Sequence, residues 1–322
     1  MKSDPPLNVL MPAHREGVFL AQALRSIQRQ SLPDWQMILI LDSPDSRTES
    51  IGRRFAREDS RISVLEVDFS NIGCALREGA EHTNSEFIIR MDADDVSHRT
   101  RFQQQLSFMS KEPQIVAAGS NARFMDRHGF VFDESAVALE HSAILDQLLR
   151  GNGSAILHPT SVFRRDALMR AGSYARDLPR GEDLDLYLRM SDQGNLANQK
   201  DCLLYFRKHS RSFTAIAGMS PEVQSESLLI RKEIVGNYLV RHGQTESQVS
   251  LDRVRVTTPD DFHVRVLSKA FQNRQWLTFS YYAVKTIFRT RRLSAVWREI
   301  ERRASNRGWS SLWTSVLGRG AT

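Results

Sequence analysis

The stretch Phe87-Ile-Ile-Arg90-Met-Asp92-Ala-Asp94-Asp95 decides how the rest of the chain is read. Phe87–Met91 reads as a buried strand, and three carboxylates follow it within four residues. Such a cluster repels itself, and burying it without a counter-ion is costly. A divalent cation relieves that cost, and oxygen ligands suit Mg²⁺ or Mn²⁺. A cation held there could also hold a diphosphate. The competing reading is a solvated acidic turn that caps the next helix, since Asp is a good N-cap. The setting favours the metal, because the turn follows a buried strand in a chain that alternates strands and helices.

That alternation runs through the first 125 residues. Leu7–Ala13, Trp35–Leu41 and Ile62–Val67 read as strands. Val18–Gln30 has Phe19, Leu20, Ala23, Leu24 and Ile27 at helical spacing. Arg47–Arg57, Asn71–Thr83 and Arg101–Ser110 also read as helices. The pattern predicts an α/β fold, a Rossmann-like, mainly parallel sheet flanked by helices on both faces. Ligands of such sheets lie outside the carboxyl ends of the strands. The residues delivered there are His14, Arg15 and Glu16, then Asp42 and Asp45, then Asp68 and Asn71, then Asp92, Asp94 and Asp95.

From Gln114 to Phe206 the pattern is less regular. Ile156–Phe163 reads as a strand interrupted by Pro159, Leu184–Met190 as a helix opened by Gly181-Glu182-Asp183, and Leu203–Phe206 as a short strand. Beyond about Thr214 the composition changes. Leu228–Val240 and much of 264–304 look helical, and Thr257-Thr-Pro-Asp-Asp reads as a linker or helix start. The expected organisation is one α/β domain over 1–215 and a helical, basic C-terminal region over 216–322.

Composition is ordinary for a globular chain of 322 residues. Two cysteines, Cys74 and Cys202, make neither a disulfide framework nor a zinc motif and point to a reducing compartment. No secretory signal and no run of roughly 20 apolar residues is found, so a cytoplasmic protein is expected. The formal charge of +6 is uneven. Residues 264–322 hold 12 Lys/Arg and 2 Glu, hence +10, against 32 basic and 36 acidic residues, or −4, elsewhere. The same segment carries Trp276, Trp297, Trp309 and Trp313.

Seven short pieces extend the acidic turn into a pattern. They are Val9-Leu-Met-Pro12-Ala-His14-Arg-Glu16, Leu39-Ile-Leu-Asp42, Asn71-Ile-Gly73, Met91-Asp92-Ala-Asp94-Asp95, His158-Pro-Thr-Ser-Val-Phe-Arg164-Arg165, Gly181-Glu182-Asp183-Leu-Asp185-Leu and Tyr205-Phe-Arg207-Lys-His209-Ser-Arg-Ser212. In this order, over most of 7–215, they resemble the family 2 glycosyltransferases of the GT-A fold. One departure is Asp42-Ser-Pro-Asp45, where the family often has paired Asp-Asp-Gly-Ser.

The resemblance implies transfer of a single sugar from a nucleoside-diphosphate sugar, UDP by family habit, to an acceptor hydroxyl. Inversion is expected, in the synthesis of a surface polysaccharide or lipid-linked glycan. It implies a divalent Mn²⁺ or Mg²⁺ held by Asp94 and Asp92, with His209 approaching the metal or the diphosphate. Pro12, His14, Glu16, Asp42, Asn71, Arg77 and Asp92 fall on the donor side, Asp42 facing the nucleobase and Asp92 the ribose. Asp183 is implied as general base, with Glu182 orienting it. The chemistry asks for such groups independently: a base to take the acceptor proton, and positive charge opposite the departing diphosphate. Taken alone, Glu182-Asp183-Leu-Asp185 could be an ordinary acidic first turn favoured by the helix dipole. His158 and Arg164 are lesser candidates for the acceptor side.

Processive synthases of this family carry Q-x-x-R-W and membrane spans. Here Gln272-Asn-Arg274-Gln-Trp276 misplaces the Arg, which favours single additions. Two rivals are another metal-dependent phosphate-handling enzyme, such as a nucleotidyltransferase or phosphatase, and a non-catalytic membrane-surface binding protein with a degenerate transferase domain.

The tail matches no recognised nucleic-acid motif, so no nucleic acid is expected as partner. Its Trp276, Phe279, Tyr281, Tyr282 and Phe288 alternate with Lys285, Arg289, Arg291 and Arg292. Such a basic, aromatic helix suits peripheral contact with an anionic membrane, the inner face of the plasma membrane. The alternative is a helical appendage with its aromatics buried. Electrostatic attachment weakens with salt. The full chain is therefore expected to co-sediment with vesicles containing phosphatidylglycerol at low salt and to be released at high salt. No sedimentation at low salt would assign the tail to packing alone.

Overall fold

In the computed structural model, residues 6–209, 220–245, 250, 251, 266, 281 and 282 are described. The Thr257 linker and most of the 264–304 segment lie outside the described residues. Four apolar strands form one half of the sheet: β1 (Leu7–Ala13), β2 (Gln36–Asp42), β3 (Ile62–Val67) and β4 (Phe87–Arg90). They run parallel in the order β3-β2-β1-β4, with Asn8 paired to Gln36, Met37 to Ile62 and Leu7 to Phe87. Crossover helices connect the first three strands and lead into β4: α1 (Val18–Gln28), α2 (Ser46–Glu58) and α3 (Ile72–Glu81). Two start where a side chain caps the helix. Asp45 accepts from the Thr48 N–H at 2.8 Å and Asn71 from the Cys74 N–H at 3.0 Å.

β1, β2 and β4 are mostly apolar and buried because both faces are covered, whereas the edge strand β3 leaves Ser63 and Glu66 exposed. Leu10, Ile38, Ile40 and Ile88 point into one core layer with Leu76, Phe163 and Tyr187. Val9, Met11, Met37, Leu39 and Ile89 point into the other with Leu20, Leu24, Phe55 and Phe102.

Past β4 the sheet becomes mixed. The two-residue strand β5 (Val96–Ser97) and helix α4 (Arg101–Lys111) follow the acidic turn. Then come β6 (Ile115–Met125), β7 (Val131–Glu134), α5 (His141–Leu149), β8 (Val162–Arg164), α6 (Arg165–Arg170), α7 (Glu182–Ser191) and β9 (Asn195–Arg207). The order continues β4-β8-β6-β9-β5, with β7 on β6. β8 is antiparallel to both β4 and β6, β6 and β9 are parallel, and β5 is antiparallel to β9.

The expected strand over Ile156–Phe163 gives way to a 3₁₀ turn at His158–Thr160, and only Val162–Arg164 is extended. The short strand expected at Leu203–Phe206 is the end of a 13-residue strand, β9. Its partner β6 has no counterpart in the sequence reading. Its middle, Gly119-Ser120-Asn121, lacks an apolar signature because polar partners set it. Ser120 N–H donates to Thr160 Oγ1 at 3.0 Å, and Asn121 Nδ2 to the Lys200 carbonyl at 2.9 Å.

The chain packs as two units, Met1–Lys208 with Pro221–Val254, and His209–Ser220 with Arg255–Thr322. Helix α8 (Pro221–Arg241) belongs to the first, where Ile234, Val235 and Leu239 join the core that holds Leu186 and Leu188. Among the described residues no helix is long and apolar enough to cross a membrane.

Gly119 marks a close approach within this sheet. A Cβ there would lie 2.7 Å from Ile156 Cγ2 and 3.0 Å from Thr160 Oγ1, and would also meet Asn198 Oδ1. Asn198 cannot swing aside, since its Nδ2 donates to the carbonyls of Ala138 and Ala155. Gly119→Ala is expected to destabilise the fold by about 1–3 kcal/mol through overpacking. A thermal melt checks this, and an unchanged midpoint would show that β6 can shift.

Candidate active site

The acidic turn emerges at the end of β4 as expected, and carboxylate oxygens of Asp92, Asp94 and Asp95 lie within 4.8 Å of one another. Arg90, buried at the strand end, pairs with Asp92 Oδ1 at 2.7 Å. Burial pushes the Asp92 carboxyl up, Arg90 opposes this, and Asp94 adds to it. Asp95 is 1% exposed, and burial followed by its two acidic neighbours raises it well above the usual carboxylate range. Its Oδ1 accepts the Arg207 N–H at 2.7 Å, whereas its Oδ2 is buried with no protein partner. Beneath the turn, Arg101 is fully buried and donates to the Arg90 carbonyl at 2.9 Å and to Gln105 Oε1 at 2.9 Å. Three close carboxylates and an orphaned buried oxygen form a hard donor set that fits Mg²⁺ or Mn²⁺.

At the end of β1, the His14 N–H donates to Glu16 Oε2 at 2.6 Å, and His14 Nδ1 lies 2.6 Å from the Asp42 carbonyl. Burial first, with contributions from Asp94 and Asp92, raises the Glu16 pKa to about 7. Glu16 is thereby within the field of the acidic turn. Pro12 is half-buried in the same strand.

Other donor-side candidates are engaged by the protein itself. Asp42 Oδ1 accepts the N–H groups of Phe69 and Ser70, both at 2.8 Å, and its Oδ2 that of Asn71 at 3.1 Å. Asp42 thus anchors the loop between β3 and α3. Asn71 caps α3 and donates from Nδ2 to the Leu178 carbonyl at 3.0 Å. Arg77 donates to Glu81 and to the carbonyls of Gly172 and Tyr174, at 2.9, 2.7 and 2.9 Å. Its guanidinium braces the 172–174 turn. Asp45, the displaced second carboxylate, is the cap of α2.

Gly181, with φ of 76°, turns the chain into α7 so that Glu182 and Asp183 occupy its first turn. Burial, then Asp183, raises the Glu182 pKa to about 7. Asp183 is also raised by burial, against the Leu184 N–H that its Oδ1 accepts at 2.7 Å and against Arg90. His158, the lesser candidate, is buried with Nε2 2.9 Å from the Tyr174 hydroxyl and Nδ1 3.7 Å from Glu182 Oε1. Burial and Arg90 hold its pKa well below the usual imidazole value, so the ring is neutral. Arg164 donates to the carbonyls of Ile115 and Met109, which makes it a strand brace.

The structure therefore brings Asp92, Asp94, Asp95 and Glu16 into one acidic group, and Glu182 and Asp183 into a second. Arg90 is within electrostatic reach of both. Sequence reasoning missed Arg90, Arg101 and Arg207 as parts of the site. The signal for Arg90 was present, a cation between Ile89 and Met91 in a buried strand. His209 opens the second unit.

Comparison with known proteins agrees with this architecture. The profile of the family "Glycosyl transferase family 2" matches residues 8–172. An amylovoran biosynthesis glycosyltransferase, AmsE of Erwinia amylovora, is 30% identical over 217 residues, 67% of this chain and 80% of its own length. The O-antigen biosynthesis glycosyltransferase WbnJ of Escherichia coli is 26% identical over 239 residues, 72% of this chain and 92% of its own. Among solved structures, S. aureus TarS 1-349 in complex with UDP-GlcNAc superposes with a TM-score of 0.55 at 15% identity, covering 89% of this chain and 93% of that one. The mannosyltransferase PcManGT of Pyrobaculum calidifontis, in complex with GDP-Man and Mn²⁺, gives 0.52 at 15% identity over 90% and 89%. With a GT-A fold and a family profile spanning β1 through α6, the chain belongs to glycosyltransferase family 2.

Proposed function

We propose that this chain transfers one sugar from a nucleoside-diphosphate donor, UDP-linked in the first instance, to an acceptor hydroxyl with inversion. Its product is a unit of a surface polysaccharide or its lipid-linked precursor, made at the inner face of the plasma membrane. AmsE and WbnJ, named for amylovoran and O-antigen synthesis, support the product class. The observation that carries the catalytic reading is the pair of acidic groups, one at the end of β4 and one opening α7, that share the field of Arg90.

In this reading Asp183 takes the acceptor hydroxyl proton while the acceptor oxygen bonds the anomeric carbon. The bond from that carbon to the diphosphate breaks, and the nucleoside diphosphate leaves. Asp94 and Asp92 would hold the cation. When bound, Mn²⁺ or Mg²⁺ neutralises charge on the departing diphosphate. Glu182 orients Asp183, each carboxylate feeling the other's charge, and His14, Glu16 and Pro12 border the donor at the end of β1. Asp42, Asn71 and Arg77 act on the donor side by fixing the loops around it.

Asp183→Asn keeps size and removes basicity. Transfer should fall by at least about two orders of magnitude, since a base contributes roughly 10²–10⁴-fold. Binding of UDP should stay within error of wild type by calorimetry. Near-normal transfer would make Asp183 a helix-start carboxylate and turn attention to Asp185.

The pH dependence follows from the raised carboxyls. A base must be unprotonated, and burial raises both Asp183 and Glu182, the latter to about 7. The rate should therefore fall on the acid side well above the usual carboxylate range, with apparent values that belong to the pair. Glu182→Gln removes one titration and one negative charge beside Asp183, so the acid limb should move to lower pH. A limb that stays in place in this variant would detach Glu182 from the base.

A further inference from the structure

We infer that Arg207 is a positioning residue for the acidic turn, holding Asp94 and Asp95 in the arrangement that receives the cation. This rests on the metal-dependent reading above. The geometry begins with strand pairing. β5 directly follows the turn and runs antiparallel to β9, with Val96 opposite Tyr205 and Ser97 opposite Leu204. Continuing that register sets Arg207 across from Asp94. Its N–H donates to Asp95 Oδ1 at 2.7 Å, and its Nε to the Asp94 carbonyl at 2.7 Å. Two consecutive residues of the turn are thus tied to one residue of β9.

The far end of the side chain is fixed as well. Nη1 donates to the carbonyls of Asp126 and Arg127, both at 3.3 Å, in the turn between β6 and β7. Nη2 donates to Gln22 Oε1 on α1 at 2.7 Å, and the guanidinium lies 4.6 Å from the centre of the Phe19 ring. The residue is 2% exposed. A planar fork with five donors can serve all these acceptors at once, which an ammonium on a flexible stem cannot. Such outer partners of a metal ligand set its orientation.

A guanidinium close to a cation site also repels the cation. Removing its charge alone would tighten metal binding, and removing its ties would loosen it. The two effects have opposite signs, so one measurement separates them. The ties dominate because the side-chain bonds of Arg207 go to carbonyls and Gln22, not to carboxylate oxygens of the cluster. The direct counter-charge is Arg90, on Asp92.

The test is titration of the full chain with Mn²⁺, alone and with UDP, following unbound Mn²⁺ by electron paramagnetic resonance. Arg207→Gln and Arg207→Lys should each weaken Mn²⁺ binding about tenfold or more. The Mn²⁺ concentration for half-maximal transfer should rise in parallel. Gly119→Ala is the control for lost stability: it should lower the melting point with Mn²⁺ affinity unchanged. Gln22→Leu, at an exposed position, removes one partner of Arg207 without threatening the fold and should weaken Mn²⁺ in the same direction. Wild-type affinity in the Arg207 and Gln22 variants, tighter binding, or rescue by Lys would overturn the inference. Wild-type protein that takes up no Mn²⁺ in either condition would instead overturn the metal reading, and Arg207 with it.

Discussion

Holding three carboxylates at the end of a buried strand is the constraint on which the surrounding structure depends. Burial raises Asp92 and Asp95 toward the neutral form, and each acid worsens the position of the others. Arginines from three separate elements answer this: Arg90 from β4, Arg101 from the start of α4 and Arg207 from the end of β9. Each does a different job. Arg90 supplies direct counter-charge to Asp92, Arg207 ties down the main chain, and Arg101 fills the space beneath. The packing of α4 and β9 against the turn is therefore part of the site rather than its background.

This explains which half of the fold could be read in advance. β1 to β4 are short, apolar and punctuated by polar strand ends, and the caps Asp45 and Asn71 mark where helices begin. β6 and β9 are longer, yet their register depends on partners remote in sequence. Asn121 accepts from Ser135 Oγ at 2.8 Å and from the Val137 N–H at 3.0 Å, so a buried amide does what an apolar side chain does elsewhere. Gly119 is small because Asn198 and Thr160 crowd it. No local periodicity encodes such pairings.

The site divides in the same way. The placement of Asp92 and Asp94 just past a buried strand and of Asp183 in the first turn of a helix was legible, because residue type and place in the chain carry it. Asp42 was legible as a strand-end carboxylate, but not its work. Three successive N–H groups of the Phe69–Asn71 loop converge on it, and only the folded loop brings them there. Arg77 is similar: its acceptors at Gly172 and Tyr174 lie about a hundred residues on along the chain. Arg207 was hidden for the same reason, since its partners Asp94 and Asp95 are tied to it by the pairing of β5 with β9.

Two adjacent carboxylates at the start of α7 have different surroundings. Glu182 points toward a neutral His158 whose other nitrogen is matched to the Tyr174 hydroxyl. It is enclosed by side chains that cannot easily leave, which suits an orienting group. Asp183 instead lies against the backbone at Gly153, where a Cβ would come within 3.0 Å of both of its oxygens. The turn Gly151-Asn152-Gly153 lacks a side chain at the point where the carboxylate lies, and Asn152 holds that turn by accepting the Ser154 N–H at 3.1 Å. Arg231 of α8 donates to the Gly151 carbonyl at 2.6 Å and draws Asp183 toward its charged form. Gly153 thus leaves the room that Asp183 occupies, and α8, beyond the segment that carries the family pattern, helps to keep it.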